Sequence, residues 1–293
     1  KVIIKLAHHF GVSEFVVSFL LVGVISIFPE LTIGIISAIE GKASLGLGVV
    51  IGSNIADLTL IVGIVALSAH SIRLHESTIK EIKVLLLGVA LPSLLIFDGE
   101  LSRIDGAILV AAFIAYVFLL LKGHRGNANN GMHRNHINWL KDIPVLFLSI
   151  GALLLAGHFI TSAAGQLSTQ LSLPIFFIGI IIAVGTCLPE LSVAVKATQK
   201  KHGELGFGDV LGNVFADSMA SIGIIALIQP IKFQYPTLTL ISSLLMLFGI
   251  LFLVILFALK KRITKSDGLL LIALYAVLLA VQFFAEFRIM QAS

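Results

Sequence analysis

The sequence predicts an all-α membrane protein, a polytopic bundle of helices built from two repeats of inverted topology. Of its 293 residues, 58% are hydrophobic and only 12% are charged, whereas a soluble domain carries roughly 25% charged residues. The hydrophobic residues form runs long enough to cross a hydrocarbon core of roughly 30 Å as helices, and these runs lack the two-residue alternation of a transmembrane barrel. In addition, one segment of the chain resembles another at a constant offset.

Nine hydrophobic stretches are predicted to span the membrane, and the connections between them are short except for residues 122–142, which are polar and rich in Gly, Asn and His. This segment divides the chain into a first repeat at 1–121, a cytoplasmic linker at 122–142 and a second repeat at 143–293. The single cysteine excludes a disulfide framework and a thiolate metal cluster. In order, the predicted spans are 13–40, 44–70, 79–97, 104–121, 143–168, 174–200, 205–229, 235–259 and 267–287.

The distribution of Lys and Arg predicts the orientation of the chain. Of the 20 basic residues, 16 fall on the side that holds residue 1 and the 122–142 linker, and the other side has four, Lys42, Arg103, Lys232 and Arg288. By the positive-inside rule the first side is cytoplasmic. This predicts an integral protein of the plasma (inner) membrane with an extracellular carboxyl terminus. The net charge of +4 then reflects topology, so nucleic acid is not an expected partner.

An internal repeat is the strongest feature of the sequence. Residues 23–67 match residues 183–227 at an offset of 160 without a gap. Because span one is predicted to start in the cytoplasm and span six outside, the two copies have opposite orientations. Inverted repeats with interrupted helices mark secondary transporters, whose binding site lies near the membrane midplane where the repeats meet. Identical pairs include Pro29 and Pro189, Glu30 and Glu190, Gly52 and Gly212, Ala56 and Ala216, and Asp57 and Asp217.

Four carboxylates are predicted at membrane depth, namely Glu30, Asp57, Glu190 and Asp217. A charge at the centre of a span costs at least roughly 2.5 kcal/mol, and acids in one place repel one another unless cations or protons lie between them. No Lys or Arg occupies the middle of a predicted span as a partner. Hard oxygen ligands without His or thiolate favour Ca²⁺ or alkali ions over zinc or copper. The sequence therefore predicts a site for transported cations and no cofactor.

Pro29 and Pro189 precede the two Glu residues and are predicted to interrupt their helices. Proline lacks an N–H and clashes with the preceding turn, which frees carbonyl oxygens about one turn upstream, near residues 23–26 and 183–186. These oxygens can bind cations. Hydroxyl groups in the same layer can add ligands, although an isolated Ser or Thr in a span more often bonds its own backbone. The hydroxyl residues concerned are Ser26, Thr186 and Ser53.

Other residues near the predicted site have less specific roles. Cys187 is expected to be a small packing residue. Asp209, aligned with Val49 in the repeat, is either a cytoplasmic access group or a helix-start charge stabilised by the helix dipole. With Asn54, these two residues are candidate backbone or outer contacts of the site. The repeated glycines are expected to allow close approach of helices, and they are Gly46, Gly48, Gly52, Gly206, Gly208 and Gly212.

At these residues the chain resembles the cation/Ca²⁺ exchanger superfamily, especially microbial sodium/calcium exchangers with two inverted alpha-repeats. The segment GTCLPEL at 185–191 is similar to the family's GTSxPE element, and GSNIAD at 52–57 is similar to its second element. The resemblance covers nearly the whole chain. It implies a ten-helix transporter, of which nine helices lie in this sequence and one precedes Lys1, in agreement with the odd number of predicted spans.

The resemblance also implies roles for individual residues. Glu30 and Glu190 match the pair that coordinates Ca²⁺, and Asp57 and Asp217 match the acid-or-amide positions of the second elements. Neighbouring hydroxyls and carbonyls of the family bind Na⁺. The matching side chains are Ser26, Thr186, Ser53 and Asn213, and the matching carbonyls are those of Gly23 and Ala183.

The chain departs from the family pattern at four positions within these elements. The family usually has Ser where this chain has Ile27, Cys187 and Asn213, so hydroxyl ligands of both outer sodium sites are altered. Asp57 occupies a position that is often Asn, which gives four acids rather than three. The sodium coupling and its stoichiometry therefore stay open at the level of sequence.

The leading hypothesis is an antiporter, working as a monomer in the lipid bilayer, that exchanges Ca²⁺ for Na⁺ by alternating access. One Ca²⁺ or several monovalent ions can neutralise the acids, whereas the empty site is too charged to reorient, which makes exchange obligatory. Proton/Ca²⁺ exchange, or exchange of another divalent cation, is the alternative, because crowded carboxylates raise one another's affinity for protons.

Two other classes of protein are less favoured. A passive cation channel usually needs a ring of identical subunits rather than an internal inverted pair of repeats. An aspartyl hydrolase would pair two Asp residues without the two Glu, so an enzyme is not expected.

Overall fold

The computed structural model describes residues 26–68, 71–73, 88–123, 139–199, 203–233, 236–260 and 262–292, and these are almost entirely helical. Within them, six helices are long and apolar enough to cross a membrane. Large apolar side chains such as Phe147, Phe159 and Phe284 are more than half exposed, as expected where lipid rather than water surrounds the helices. The prediction of an all-α membrane bundle is therefore confirmed.

The helices follow the predicted spans closely, and the span predicted at 174–200 is divided into two helices at Cys187. Spans 13–40 and 79–97 are described only in part, and residues 124–138 of the 122–142 linker lie outside the described residues, so the division into domains stays a prediction. In chain order the helices are α1 (Phe28–Ile39), α2 (Ala43–Ala56), α3 (Val62–Ser68), α4 (88–95), α5 (Arg103–Gly123), α6 (Trp139–Leu171), α7 (Ile175–Thr186), α8 (Leu188–Gln199), α9 (Gly203–Ala216), α10 (Ile222–Ile228), α11 (Pro236–Lys260) and α12 (Lys265–Ala292).

Two helix breaks repeat the sequence offset of 160 residues. A turn at Ile27 precedes α1, and a turn at Cys187 separates α7 from α8, with nearly the same backbone angles (φ −72°, ψ −5° and φ −75°, ψ −5°). Pro29 and Pro189 each occupy the second residue of the helix after the break. Proline is tolerated there because the first N–H groups of a helix have no intrahelical partner. The predicted interruptions are thus present one turn before each Glu.

Two π-helical segments repeat the same offset. Asp57–Ile61 joins α2 to α3, and Asp217–Ser221 joins α9 to α10, so that each pair of helices forms one continuous rod with a wider turn at its centre. Short π-helical insertions of this kind are frequent at functional sites. Each segment begins at one of the two predicted aspartates.

Two short antiparallel ribbons connect the two halves of the chain. Strand β1 (Ser71–Arg73) pairs with β4 (Arg262–Thr264), and β2 (Glu100–Leu101) pairs with β3 (Ile231–Lys232). In each ribbon one strand comes from the first half of the chain and its partner from the second half. The ribbons therefore join the two predicted repeats through backbone hydrogen bonds.

Helices α2 and α7 pack closely at the centre of the bundle through glycines. A Cβ atom on Gly179 would lie 2.5 Å from the carbonyl oxygen of Leu45, and one on Gly52 would lie 2.8 Å from Cα of Ile180. A Cβ atom on Gly48 would collide with the carbonyl oxygen of Phe176. For Gly48 and Gly52, the predicted role in helix packing is confirmed.

The substitution Gly48→Ala is expected to lower the free energy of unfolding by roughly 1–3 kcal/mol, the usual cost of overpacking a rigid interface. The matched control is Gly151→Ala in α6, where a Cβ atom meets nothing within 4 Å and alanine slightly favours the helix. Thermal unfolding of both variants in detergent tests the difference. Equal melting temperatures would show that α2 and α7 can separate at no cost.

Candidate cation-binding site

The four predicted carboxylates lie at the points where the helices are irregular. Glu30 and Glu190 are in the first turns of α1 and α8, directly after the two breaks. Asp57 and Asp217 are the first residues of the two π-helical segments. All four side chains are buried, with exposed fractions of 4% or less. Two interrupted helices and two π-helical turns thus direct the four acids into the interior.

The structure brings the four acids close enough for their charges to interact. Asp57 lies near enough to Glu190, Glu30 and Asp217 for their negative charges to repel its own. Repulsion among buried acids favours the uptake of cations or protons between them. The four predicted positions thus lie within electrostatic range of one another, and their joint role in cation binding stays a prediction.

Asp57 is held by an amide from the other repeat. The Asn213 Nδ2 group donates to Asp57 Oδ2 at 2.8 Å, and the Ser26 hydroxyl donates to Asn213 Oδ1 at 3.1 Å. The second carboxylate oxygen, Asp57 Oδ1, is buried and has no hydrogen-bond partner among the described residues. The hydrogen-bond chain from Ser26 through Asn213 fixes Asp57 and leaves one of its oxygens available.

Asp217 accepts hydrogen bonds at both oxygens. The Ser53 hydroxyl donates to Asp217 Oδ2 at 3.2 Å, and the Ser221 hydroxyl donates to Asp217 Oδ1 at 2.6 Å. Ser53 was predicted as a site residue, but Ser221 was not. Its counterpart at the offset of 160 is Ile61, so a search for repeated residues could not have found it.

Glu30 has no compensating hydrogen bond among the described residues. Both of its carboxylate oxygens are buried without a partner. The Thr186 hydroxyl lies beside this carboxylate but donates to the Ala183 carbonyl at 3.0 Å. An unpaired charge at this depth is costly. A bound cation or a proton would therefore stabilise Glu30.

The Ala183 carbonyl accepts two hydrogen bonds, one from the Thr186 hydroxyl and one from the Cys187 N–H at 3.1 Å. It was predicted to be one of the carbonyls that the break at Pro189 frees for a cation. In this structure any cation at that position must compete with both donors. Its counterpart Gly23 lies outside the described residues.

Of the remaining predicted contacts, Cys187 and Asn54 lie beside residues of the site. Cys187 is buried, and its thiol points to the Ser53 carbonyl at a distance of 3.8 Å. The Asn54 amide donates to the Ser218 hydroxyl at 3.0 Å and lies 3.6 Å from the Met246 sulfur. Asp209 belongs to α9, but its side chain is outside the described part of the structure.

The acids do not form a compact cluster. Within the part of the chain that the structure describes, no three His, Cys, Asp or Glu side chains are grouped so that they could hold a metal ion. Ca²⁺ binds six to eight oxygens, which carboxylates, amides, hydroxyls and carbonyls can supply together. Oxygens of all four kinds lie in this region, and a bound ion would have to draw the acids toward it.

Known proteins are similar to this chain along most of its length. The family model described as sodium/calcium exchanger protein matches residues 1–122 and 141–284. The chain is 26% identical to the sodium/calcium exchanger MaX1 of Methanosarcina acetivorans, with 95% of this chain and 91% of that protein covered. It is 25% identical to the inner membrane protein YrbG of Escherichia coli, with coverage of 94% and 88%. A solved structure of the sodium-calcium exchanger NCX_Mj has a TM-score of 0.69 and 26% identity, and 95% of this chain and 90% of that chain are covered.

Proposed function

Because the chain belongs to the sodium/calcium exchanger protein family, a family of cation antiporters, we propose that it exports Ca²⁺ in exchange for Na⁺ by alternating access. The observation that carries this proposal is the set of four buried acids at symmetric helix irregularities. With oxygens of Glu30 and Asp57 unpartnered, the site retains uncompensated negative charge until cations occupy it. One Ca²⁺ or several Na⁺ ions would neutralise it, and an empty site would be too charged to reorient.

The ligands follow from the side chains at the two breaks and the two π-helical segments. Glu30 and Glu190 would coordinate Ca²⁺, and the hydroxyl and amide groups beside them would complete the coordination. Na⁺ would bind at the outer positions near the breaks. The side chains proposed for these roles are Ser26, Thr186, Ser53 and Asn213, with the Ala183 and Gly23 carbonyls.

Sodium-driven Ca²⁺ uptake by the reconstituted protein tests the proposal. Proteoliposomes loaded with Na⁺ and diluted into Na⁺-free buffer are expected to accumulate ⁴⁵Ca²⁺, and a sodium ionophore should abolish the accumulation. Vesicles without protein provide the background. Uptake that is indifferent to the imposed Na⁺ gradient would refute sodium coupling.

Proton/divalent exchange is a second candidate, and the two helix breaks favour it. Ile27 and Cys187 stand at the turns where the family usually offers Ser hydroxyls, and the Thr186 hydroxyl is engaged with a carbonyl. Fewer free hydroxyls mean fewer ligands for Na⁺, whereas protons require only the carboxylates. A pH gradient imposed without Na⁺ distinguishes the two exchangers, because it would drive ⁴⁵Ca²⁺ uptake only in the proton-coupled case.

The proposed setting is the plasma (inner) membrane, with the 122–142 linker in the cytoplasm, the carboxyl terminus outside and the monomer as the functional unit. The Lys and Arg distribution supports this orientation. Fusions to alkaline phosphatase, which is active only outside the cytoplasm, should be active after residue 293 and inactive within 124–138. The reverse pattern would overturn the orientation.

A further inference from the structure

The two aspartates of the site have different surroundings, although the repeat makes their positions equivalent. Asp217 accepts a hydroxyl hydrogen bond at each oxygen, from Ser221 at 2.6 Å and from Ser53 at 3.2 Å. Asp57 accepts one amide hydrogen bond at Oδ2, and its Oδ1 is buried with no partner among the described residues. The backbone of the two repeats is therefore symmetric at these aspartates, but of the two only Asp57 has a carboxylate oxygen without a hydrogen bond among the described residues.

Ser221 is the stronger of the two donors to Asp217. A hydroxyl has one proton, and the Ser53 hydroxyl is shared between Asp217 and the Val50 carbonyl, which it reaches at 2.9 Å. The distance of 2.6 Å from Ser221 to Asp217 lies in the range of a short, charge-assisted hydrogen bond. Both residues are fully buried, so water does not compete for this contact.

Among the described residues of the first repeat, Asp57 has no such donor. Ser221 is the last residue of its π-helical segment, and the equivalent last residue of the other segment is Ile61, a buried apolar side chain. The π-helical turn places Ser221 beside the Asp217 carboxylate, whereas the same turn places a hydrocarbon chain at the corresponding position after Asp57. The difference between the two aspartates thus depends on one pair of residues outside the repeated motifs.

We propose that Ser221 is a positioning residue that holds the Asp217 carboxylate in one orientation and leaves Asp57 as the aspartate that offers a free oxygen to the transported cation. Asp217 then contributes negative charge to the site, and Glu30, Glu190 and Asp57 provide the carboxylate ligands. A cation that recruited Asp217 would have to compete with a dedicated hydroxyl donor, whereas Asp57 Oδ1 has no hydrogen bond to lose. This inference rests on the proposed cation exchange.

Two pairs of substitutions test the inference by equilibrium ⁴⁵Ca²⁺ binding to the purified full chain and by the rate of ⁴⁵Ca²⁺ uptake in proteoliposomes. Ser221→Ala frees an oxygen of Asp217, so Ca²⁺ is expected to bind about tenfold more tightly and to be released more slowly, which lowers the turnover. Ser221→Thr keeps the hydroxyl and should keep the wild-type affinity. Ile61→Thr gives Asp57 a hydroxyl donor and should weaken Ca²⁺ binding relative to Ile61→Val, its control of similar volume.

A wild-type affinity or a weaker affinity in Ser221→Ala would overturn the inference. If the Ser221 variants do not fold, as judged by size-exclusion chromatography, the comparison of Ile61→Thr with Ile61→Val decides, and equal dissociation constants would refute it. A wild-type protein that binds Ca²⁺ without gradient-driven uptake would refute the proposed exchange, and the affinities of the variants would still decide the role of Ser221. A wild-type protein that does not bind Ca²⁺ would overturn both.

Discussion

The substitution Glu190→Gln, and likewise Glu30→Gln, is expected to abolish measurable Ca²⁺ binding and exchange. Glutamine has the size of glutamate but lacks its charge, and these two acids are buried in the first turns after the two breaks. Loss of a buried charged ligand typically costs about 3 kcal/mol or more, which corresponds to a loss of affinity of over about a hundredfold. Equilibrium ⁴⁵Ca²⁺ binding in detergent and uptake by proteoliposomes measure the two effects.

Glu100→Gln is the matched control, because Glu100 is exposed in β2 and distant in the chain from both breaks. It should bind and exchange Ca²⁺ like the wild type. A Glu190→Gln variant that keeps the wild-type dissociation constant would show that Ca²⁺ binds elsewhere. Because glutamine conserves volume, a change in folding is not expected, and thermal unfolding of each variant verifies this.

Asp57→Asn is expected to reduce the number of monovalent ions exchanged per Ca²⁺ by one. Monovalent cations must offset the negative charge of the site before the Ca²⁺-free protein reorients, and this substitution removes one of the four acids. The Asn213 amide would still find an acceptor at position 57, so the hydrogen bond between the repeats survives. The membrane potential at which net ⁴⁵Ca²⁺ flux vanishes, measured at known ion gradients, reports the coupling ratio.

The double variant Asp57→Asn with Asn213→Asp provides a sharp control for this prediction. It moves the acid to the other end of the same hydrogen bond, which is 2.8 Å long, and restores the total of four acids. The wild-type coupling ratio should return. A ratio that is unchanged in Asp57→Asn alone would show that the charge at position 57 takes no part in coupling.

Much of the candidate site could be predicted because its acidic residues and prolines occur in both repeats. The offset of 160 residues identified Glu30, Asp57 and their counterparts, and proline chemistry identified the helix breaks. These features are local, since they depend on a residue type and its immediate neighbours. The membrane class followed from composition alone, and the six long apolar helices in the described residues agree with it.

Other features depend on three-dimensional neighbours that no local pattern encodes. The π-helical segments contain ordinary helix-compatible residues, and Ser221 is not repeated, since its counterpart in the first repeat is Ile61. The hydrogen bond to the Ala183 carbonyl depends on the rotamer of the Thr186 side chain. Sequence reasoning therefore located the acids but did not identify which of their oxygens are free.

The two strand ribbons have a consequence for biosynthesis. β1 and β2 leave the ribosome long before β3 and β4, so the backbone groups of the early strands wait for partners while the rest of the chain is translated. The amide that bonds to Asp57 also arrives with the second half of the chain. The early half of the chain is therefore synthesised before the residues that pair with β1, with β2 and with Asp57, so these contacts form only after the second half has been made.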